Sequence, residues 1–242
     1  MRLSNNMIKL FSRWIAVLLV SIMAISAMAS PSNPQKNVDY QILKVPQPAD
    51  TGDKIEVIEF FGYFCPHCYA FDTALTNWAR KHKKDVVFKR VTVKFSESMA
   101  LHQKMFYTLS AMDVLTNEFH HKIFDAIQIQ RIPLRTDEQI FGFIEKNGID
   151  RKKFTEMYNS FYVQMLCNKA VEMQSTYEIE GVPMIVIDGK YLTSPAIVSS
   201  GNNMDLSEGE MHVQTLKVMD TLVQQSLKEK SRIPKTKTSK TK

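Results

Sequence analysis

Two cysteines are separated by only two residues, in the segment Cys65-Pro66-His67-Cys68. The chain has one further cysteine, Cys167. A disulfide across so short a gap closes too small a loop to stabilise a fold much, whereas neighbouring thiols can exchange disulfides with other molecules. The spacing therefore predicts redox chemistry at Cys65 and Cys68.

The residues around the pair place it at the start of a helix. Residues 54–61 (KIEVIEFF) are rich in β-branched and aromatic side chains and predict a buried strand, which Gly62 ends. Pro66 suits the first turn of a helix, because its missing N–H would have no partner there. Apolar residues then recur at helical spacing, at Cys68, Phe71, Leu75 and Trp78. We therefore predict a helix that begins at the cysteine pair.

This position gives the two sulfurs different roles. A helix N-terminus favours negative charge, and His67 can add a cation or an N–H donor, so Cys65 is expected to be a thiolate that attacks or is attacked. Cys68 lies one turn further on the apolar stripe and is expected to be buried and to resolve the mixed disulfide. Stabilising the thiolate favours the reduced protein, so we predict a dithiol oxidase rather than a reductase.

Two other uses of the pair stay open at this point. Cys-x-x-Cys is half of a tetrahedral zinc site, but a second close pair is missing, because His120 and His121 are adjacent and Cys167 stands alone. A purely structural disulfide is the other alternative. We predict no metal and no soluble cofactor.

The remaining patterns predict a sheet domain interrupted by helices. A second strand is expected at 85–93, a strand hairpin around Asp188-Gly189, and a closing helix at 209–228. Between the strands lie four amphipathic helical patterns, the third opening on a capping box at Thr136 and the fourth running on from Asp150. The expected division is a first sheet part at 30–95, an all-helical insertion at 96–176 and a second sheet part at 177–228.

Both ends of the chain are set apart from this domain. Residues 1–29 have a basic start, an apolar run and a small-residue site ending at Ala29, the three-part pattern of a cleaved secretory signal peptide. Its removal lowers the net charge from +6 to +3, because it carries three basic residues and no acid. Residues 229–242 form a basic, polar tail that we expect to be disordered. The pattern predicts export without stable membrane insertion, and an uncleaved N-terminal anchor is the alternative. No basic face suggests nucleic-acid binding.

The segment from Glu59 to Phe71 (EFFGYFCPHCYAF) closely resembles the active-site segment of the DsbA family of bacterial periplasmic disulfide oxidases, and so does Gly181-Val182-Pro183. The resemblance covers about residues 40–228. It implies an α/β thioredoxin fold with an all-helical insertion domain, so that the two sheet parts form one thioredoxin-like domain. It also implies a periplasmic location.

The resemblance assigns roles to further residues. Pro183 would be the family's cis-proline and would face the cysteine pair, and the backbone of Val182 and Pro183 would pair with an extended substrate segment. Glu59, in the middle of the apolar strand, would lie beneath the buried cysteine and help to move protons. The alternative is a surface-facing or salt-bridged Glu59 with Lys89 or Arg90 as its partner.

Substrates and partners also follow only from the resemblance. The substrates would be reduced cysteines of exported proteins, and a quinone-linked membrane oxidase of the DsbB type would reoxidise the pair. An isomerase or reductase, or a peptide-binding chaperone-like module without turnover, is the alternative function. Cys167 is an addition to the family's simplest pattern. We expect it in the core, with a regulatory or dimer-linking thiol as the alternative.

Overall fold

The computed structural model describes residues 33–201 and 206–232, which form a mixed five-stranded sheet. The strands are β1 (Gln41–Ile42), β2 (Ile55–Phe61), β3 (Val86–Thr92), β4 (Met184–Ile187) and β5 (Tyr191–Thr193). Their order in the sheet is β1-β5-β4-β2-β3. Only β2 and β3 are parallel, and the other neighbours are antiparallel. This places β2 beside the sheet centre, with a neighbour on each edge.

Eight helices accompany the sheet in the described ranges. They are α1 (Pro66–Lys81), α2 (Ala100–Ala111), α3 (Asn117–Gln128), α4 (Asp137–Lys146), α5 (Arg151–Tyr158), α6 (Phe161–Thr176), α7 (Pro195–Gly201) and α8 (Glu208–Arg232). A 3-10 turn at Glu97–Met99 precedes α2. Helices α2 to α6 all lie between β3 and β4 in the chain, in the interval predicted for the insertion. Within the described residues, no helix combines the length and apolarity needed to cross a bilayer.

The core explains why β2 is so apolar. All seven of its residues are buried, because helices cover both faces of the sheet. On one face, Ile55 and Val57 pack with apolar residues of α1 and α8. On the other, Ile58 and Phe60 pack against the end of α6 and the segment after it. Phe61, the last residue of β2, instead joins the core of the helical insertion, together with both cysteines of the pair.

Side-chain caps define the starts of the inserted helices. The predicted cap at Thr136 is present, since its hydroxyl accepts a hydrogen bond from the backbone N–H of Gln139. The prediction of one long helix after Asp150 is wrong. Helix α5 ends at Tyr158, with Asn159 as its C-cap. Ser160 then caps the start of α6, because its hydroxyl accepts a hydrogen bond from the N–H of Val163. The strong N-cap residue outweighs the continuous apolar pattern.

The predicted start of the basic tail at residue 229 is also wrong. Helix α8 continues to Arg232, because Glu229 binds the ammonium group of Lys190 and the hydroxyl of Tyr191 and so ties the helix to β5. The short helix α7 was not predicted. The signal peptide at 1–29 and the rest of the tail, residues 233–242, lie outside the described residues and stay predictions.

The hairpin between β4 and β5 confirms the turn predicted at Asp188 and Gly189. Both residues have positive φ, 51° and 61°, as a two-residue turn of this kind requires. Gly189 also lies against the preceding loop, where its carbonyl oxygen accepts a hydrogen bond of 2.8 Å from the N–H of Gln47. A Cβ at position 189 would lie 2.0 Å from the carbonyl oxygen of Gln47.

We predict that Gly189→Ala destabilises the protein by about 1–3 kcal/mol, because the methyl group has no room and the backbone conformation disfavours it. The matched control is Gly142→Ala in α4, where a Cβ would meet no atom within 4 Å and the helix should gain up to about 1 kcal/mol. Chemical denaturation measures both changes. Equal effects of the two substitutions would contradict the close approach at Gly189.

Candidate active site

The cysteine pair lies where β2 passes into α1. Gly62 forms the junction, and its carbonyl oxygen accepts a hydrogen bond of 3.0 Å from the N–H of Cys65. A side chain at position 62 would collide with the ring of Phe64, whose Cε1 lies 2.2 Å from where a Cβ would be. The absence of a side chain therefore lets the chain turn sharply from the sheet into the helix.

Cys65 is the N-cap residue of α1. Its sulfur accepts a hydrogen bond of 3.2 Å from the backbone N–H of Cys68, in the way that a capping hydroxyl does. Pro66 occupies the first position of the helix, as predicted. The sulfur therefore sits at the positive end of the helix, where a thiolate would be stabilised.

Both cysteines of the pair are thiols in this structure, and their pKa values are shifted in opposite directions. The pKa of Cys65 is lowered from 9.0 to about 7, first by the hydrogen bond that the Cys68 thiol donates and then by the backbone N–H groups of Cys68 and His67 and the charge of His67. Burial raises the pKa of Cys68 well above its usual range. Cys68 is wholly buried, whereas Cys65 keeps 6% of its surface exposed. This asymmetry can separate a reactive sulfur from a resolving one.

The Val182–Pro183 peptide bond is cis and lies against the same sulfur. The Cys65 thiol donates a hydrogen bond of 3.4 Å to the carbonyl oxygen of Val182. Val182 and Phe64 both pack against the core of the insertion and against the core on the α6 side of the sheet. The resemblance implied this juxtaposition of the proline loop and the cysteine pair, and the structure contains it.

Glu59 is both buried and salt-bridged, so the structure confirms the ion-pair alternative without a surface position. Its side chain is wholly buried, and its Oε2 accepts a hydrogen bond of 2.9 Å from Nε of Arg90. Lys89, the other candidate partner, binds Glu56 instead. Oε1 of Glu59 has no hydrogen-bond donor among the described residues. Burial raises the pKa of Glu59 to about 7, although Arg90 opposes the shift.

Arg90 extends this pair into a polar network that the sequence analysis missed. Its guanidinium donates to Asp72 of α1 at 3.0 Å, and the other carboxylate oxygen of Asp72 lies 2.8 Å from Nδ1 of His121. His121 is partly exposed, so the network leads from the buried Glu59 toward the surface. One sequence signal was available, since Asp72 lies on the buried stripe of α1 beside Phe71.

His67 is exposed and faces away from the core. Its Nδ1 lies 2.8 Å from Oε1 of Glu208, the first residue of α8, and this hydrogen bond raises the pKa of His67.

Cys167 is buried in α6, as expected, and burial raises its pKa to about 11. In the part of the chain that the structure describes, no three His, Cys, Asp or Glu side chains lie close enough to share a metal ion.

Comparison with known proteins places the chain in a family. The family model of the DSBA-like thioredoxin domain matches residues 72–212. The thiol:disulfide interchange protein DsbA of Burkholderia cepacia is 41% identical over 175 residues, which are 72% of this chain and 82% of that protein. DsbA of Bordetella parapertussis is 34% identical over 218 residues, which are 90% of this chain and 98% of that protein.

Solved structures agree with this assignment. The crystal structure of Pseudomonas aeruginosa DsbA superimposes with a TM-score of 0.74 at 31% identity, covering 84% of this chain and 99% of that one. The oxidoreductase NmDsbA1 from N. meningitidis gives a TM-score of 0.66 at 26% identity over 80% of this chain and 96% of that one. The thioredoxin fold with a helical insertion is therefore confirmed. The chain belongs to the DSBA-like thioredoxin-domain family and is a thiol:disulfide oxidoreductase.

Proposed function

We propose that this oxidoreductase works as an oxidase, which passes the Cys65–Cys68 disulfide to pairs of reduced cysteines in exported proteins. The observation that carries the proposal is that the pKa of Cys65, at the start of α1, is lowered, whereas the pKa of the buried Cys68 is raised. A Cys65 sulfur with a pKa of about 7 is a good leaving group and stabilises the reduced protein. The disulfide form is then the better electron acceptor.

The first step is an attack on Cys65. A substrate thiolate attacks the Cys65 sulfur of the disulfide, the bond between the two enzyme sulfurs breaks, and a mixed disulfide forms. Cys68 leaves with the electron pair. Because burial raises its pKa well above the usual range, Cys68 takes up a proton. In the second step, the second substrate thiolate attacks the substrate sulfur of the mixed disulfide, and Cys65 leaves as a thiolate. Two electrons have then moved from substrate to enzyme.

Glu59 is suited to handle the proton that Cys68 gains or loses. Its carboxyl group is wholly buried, and with a pKa of about 7 it can hold or release a proton near neutral pH. Its charge also acts on Cys68, whose pKa it helps to raise. We therefore propose Glu59 as the internal proton donor and acceptor of the buried sulfur.

Substrate binding falls to the loop of Val182 and Pro183. The carbonyl oxygen of Val182 lies within hydrogen-bond distance of the Cys65 sulfur, so an extended peptide along this loop would bring its own sulfur to Cys65. Pairing through backbone groups reads little sequence, which suits an enzyme with many substrates. Pro66 and His67 complete the exposed rim of the site.

The location and the reoxidising partner complete the proposal. The signal-peptide pattern ending at Ala29 supports export to the periplasm. The family resemblance supports reoxidation by a quinone-linked membrane partner of the DsbB type. The electrons that the substrate gives up are held by the two thiols, so the cycle as proposed uses no soluble cofactor and no metal.

Titration of the reduced protein tests the acidity of Cys65. The thiolate absorbance should rise with a midpoint near pH 7, well below the midpoint near pH 11 of Cys167. Cys68→Ala removes the strongest stabilising donor and should raise the midpoint, whereas Cys68→Ser keeps a hydroxyl donor and should raise it less. Cys65→Ser should abolish the rise in absorbance near pH 7. A rise that survives in Cys65→Ser would contradict the assignment.

The equilibrium with glutathione separates an oxidase from a reductase. We expect a reduction potential more oxidising than about −200 mV, because the Cys65 thiolate stabilises the dithiol. Counting free thiols by alkylation and mass measurement gives the oxidised fraction at each ratio of the two glutathione forms. A potential near that of a reductant such as thioredoxin, about −270 mV, would overturn the proposed direction.

A resolving-cysteine variant tests the roles of the two sulfurs in cells. Cys68→Ala should accumulate mixed disulfides with exported proteins, because its Cys65 thiolate can attack a disulfide of such a protein and displace one of that protein's sulfurs as a thiolate. Without Cys68, no enzyme thiol can then attack the Cys65 sulfur and release the complex. The complexes should disappear on reduction and should be missing from Cys65→Ser/Cys68→Ala. They should persist in Cys68→Ala/Cys167→Ala. Complexes that depend on Cys167 rather than Cys65 would refute the proposed nucleophile.

A further inference from the structure

The exposed histidine of the active site has a partner from a distant part of the chain. His67 is the second residue of α1, and 72% of its side-chain surface is exposed. Its own helix does not fix an exposed imidazole in one orientation. The contact at Nδ1 does so, because Oε1 of Glu208 lies 2.8 Å away.

The packing of α8 brings Glu208 to this place. Trp78 of α1 donates a hydrogen bond of 2.6 Å to Asp220 of α8, and the ring of Phe71 lies 4.8 Å from that of His212. These contacts hold the two helices together along their length. The first residue of α8 is thereby carried to the start of α1, where its carboxylate meets His67.

The contact changes the charge beside the reactive sulfur. The charged groups that act on His67 are Glu208 and Cys65, and both favour the imidazolium. His212, on the next turn of α8, stays near enough for its own acidity to depend on both His67 and Glu208. The pKa of Cys65 is in turn lowered by the charge of His67. The carboxylate of Glu208 thus acts on the imidazole of His67, and the imidazole acts on the sulfur of Cys65.

We propose that Glu208 is a positioning residue of the active site, which holds the His67 imidazole in one orientation near Cys65 through the contact between its carboxylate and Nδ1. The inference deepens the proposed oxidase function and rests on it. Glu208 itself does not touch the reacting sulfurs. Without its carboxylate, His67 would lose the contact that orients it and that favours its cationic form, and the charge of His67 would then stabilise the Cys65 thiolate less.

A simpler role for Glu208 would be to stabilise the N-terminus of α8, as any acid in a first turn does. Glu210 provides the comparison, because it lies in the same turn and binds the backbone N–H and hydroxyl of Ser207 at the helix start. Among the contacts of the described residues, it has none with His67. The two acids therefore share the helix-end role and differ in the contact with the histidine.

The experiment is a double-mutant cycle on the full-length reduced protein. Glu208→Gln should raise the pKa of Cys65 by about 0.2–0.7 units, the range open to an exposed ion pair. At pH 7 it should also shift the glutathione equilibrium about 1.2- to 1.7-fold toward the oxidised protein, because about half of Cys65 is thiolate there. In the His67→Ala background the same substitution should change neither value, and Glu210→Gln should change neither in either background.

A second measurement follows the histidine directly. In nuclear magnetic resonance titrations, the His67 signal, identified by its loss in His67→Ala, should show a lower pKa in Glu208→Gln and an unchanged one in Glu210→Gln. The proposal is overturned if Glu208→Gln leaves the pKa of His67 or of Cys65 in place, or if its effect on Cys65 persists without His67. A wild-type Cys65 with an ordinary pKa near 9 would instead refute the oxidase function itself.

Discussion

The hydrogen bond from the N–H of Cys68 to the sulfur of Cys65 is the interaction on which the active site depends. It exists because Cys65 caps α1, and Cys65 caps α1 because β2 ends at Phe61 and the chain turns at Gly62. A sulfur held in this way gains the stabilisation that a helix start gives to any anion. The sheet, the turn and the helix together thus act as a fixed electrostatic environment for one atom.

Buried charge is the second constraint. Taking ions out of water is costly, and Arg90 lies between the two carboxylates of Glu59 and Asp72, all three almost fully buried. The arrangement links β2 and β3 to α1, the helix that begins at the cysteine pair. A core of apolar residues would pack there at least as well, so stability alone does not account for the charges, and the proposed proton handling by Glu59 gives them a use. The raised pKa of Glu59 fits this explanation.

Sequence patterns predicted the parts of the fold that are fixed locally. The apolar strand β2, the helix after the cysteine pair and the turn at Asp188 and Gly189 each carry their cause within a few residues. The cis bond at Pro183 could not be predicted from spacing, because cis is a minority state, and it came from the family resemblance. Asp72 and Glu208 were missed, since their partners are brought near only by packing between distant elements.

The third sulfur shows what this chemistry demands of the rest of the chain. A third reactive thiol within reach of Cys65 or of a bound substrate would form a disulfide that inactivates the enzyme. Cys167 avoids this because it is buried in α6 and its pKa is raised to about 11, so it stays protonated and unreactive near neutral pH. Unfolding would remove that protection, and the first damage expected in a heated sample is scrambling through Cys167.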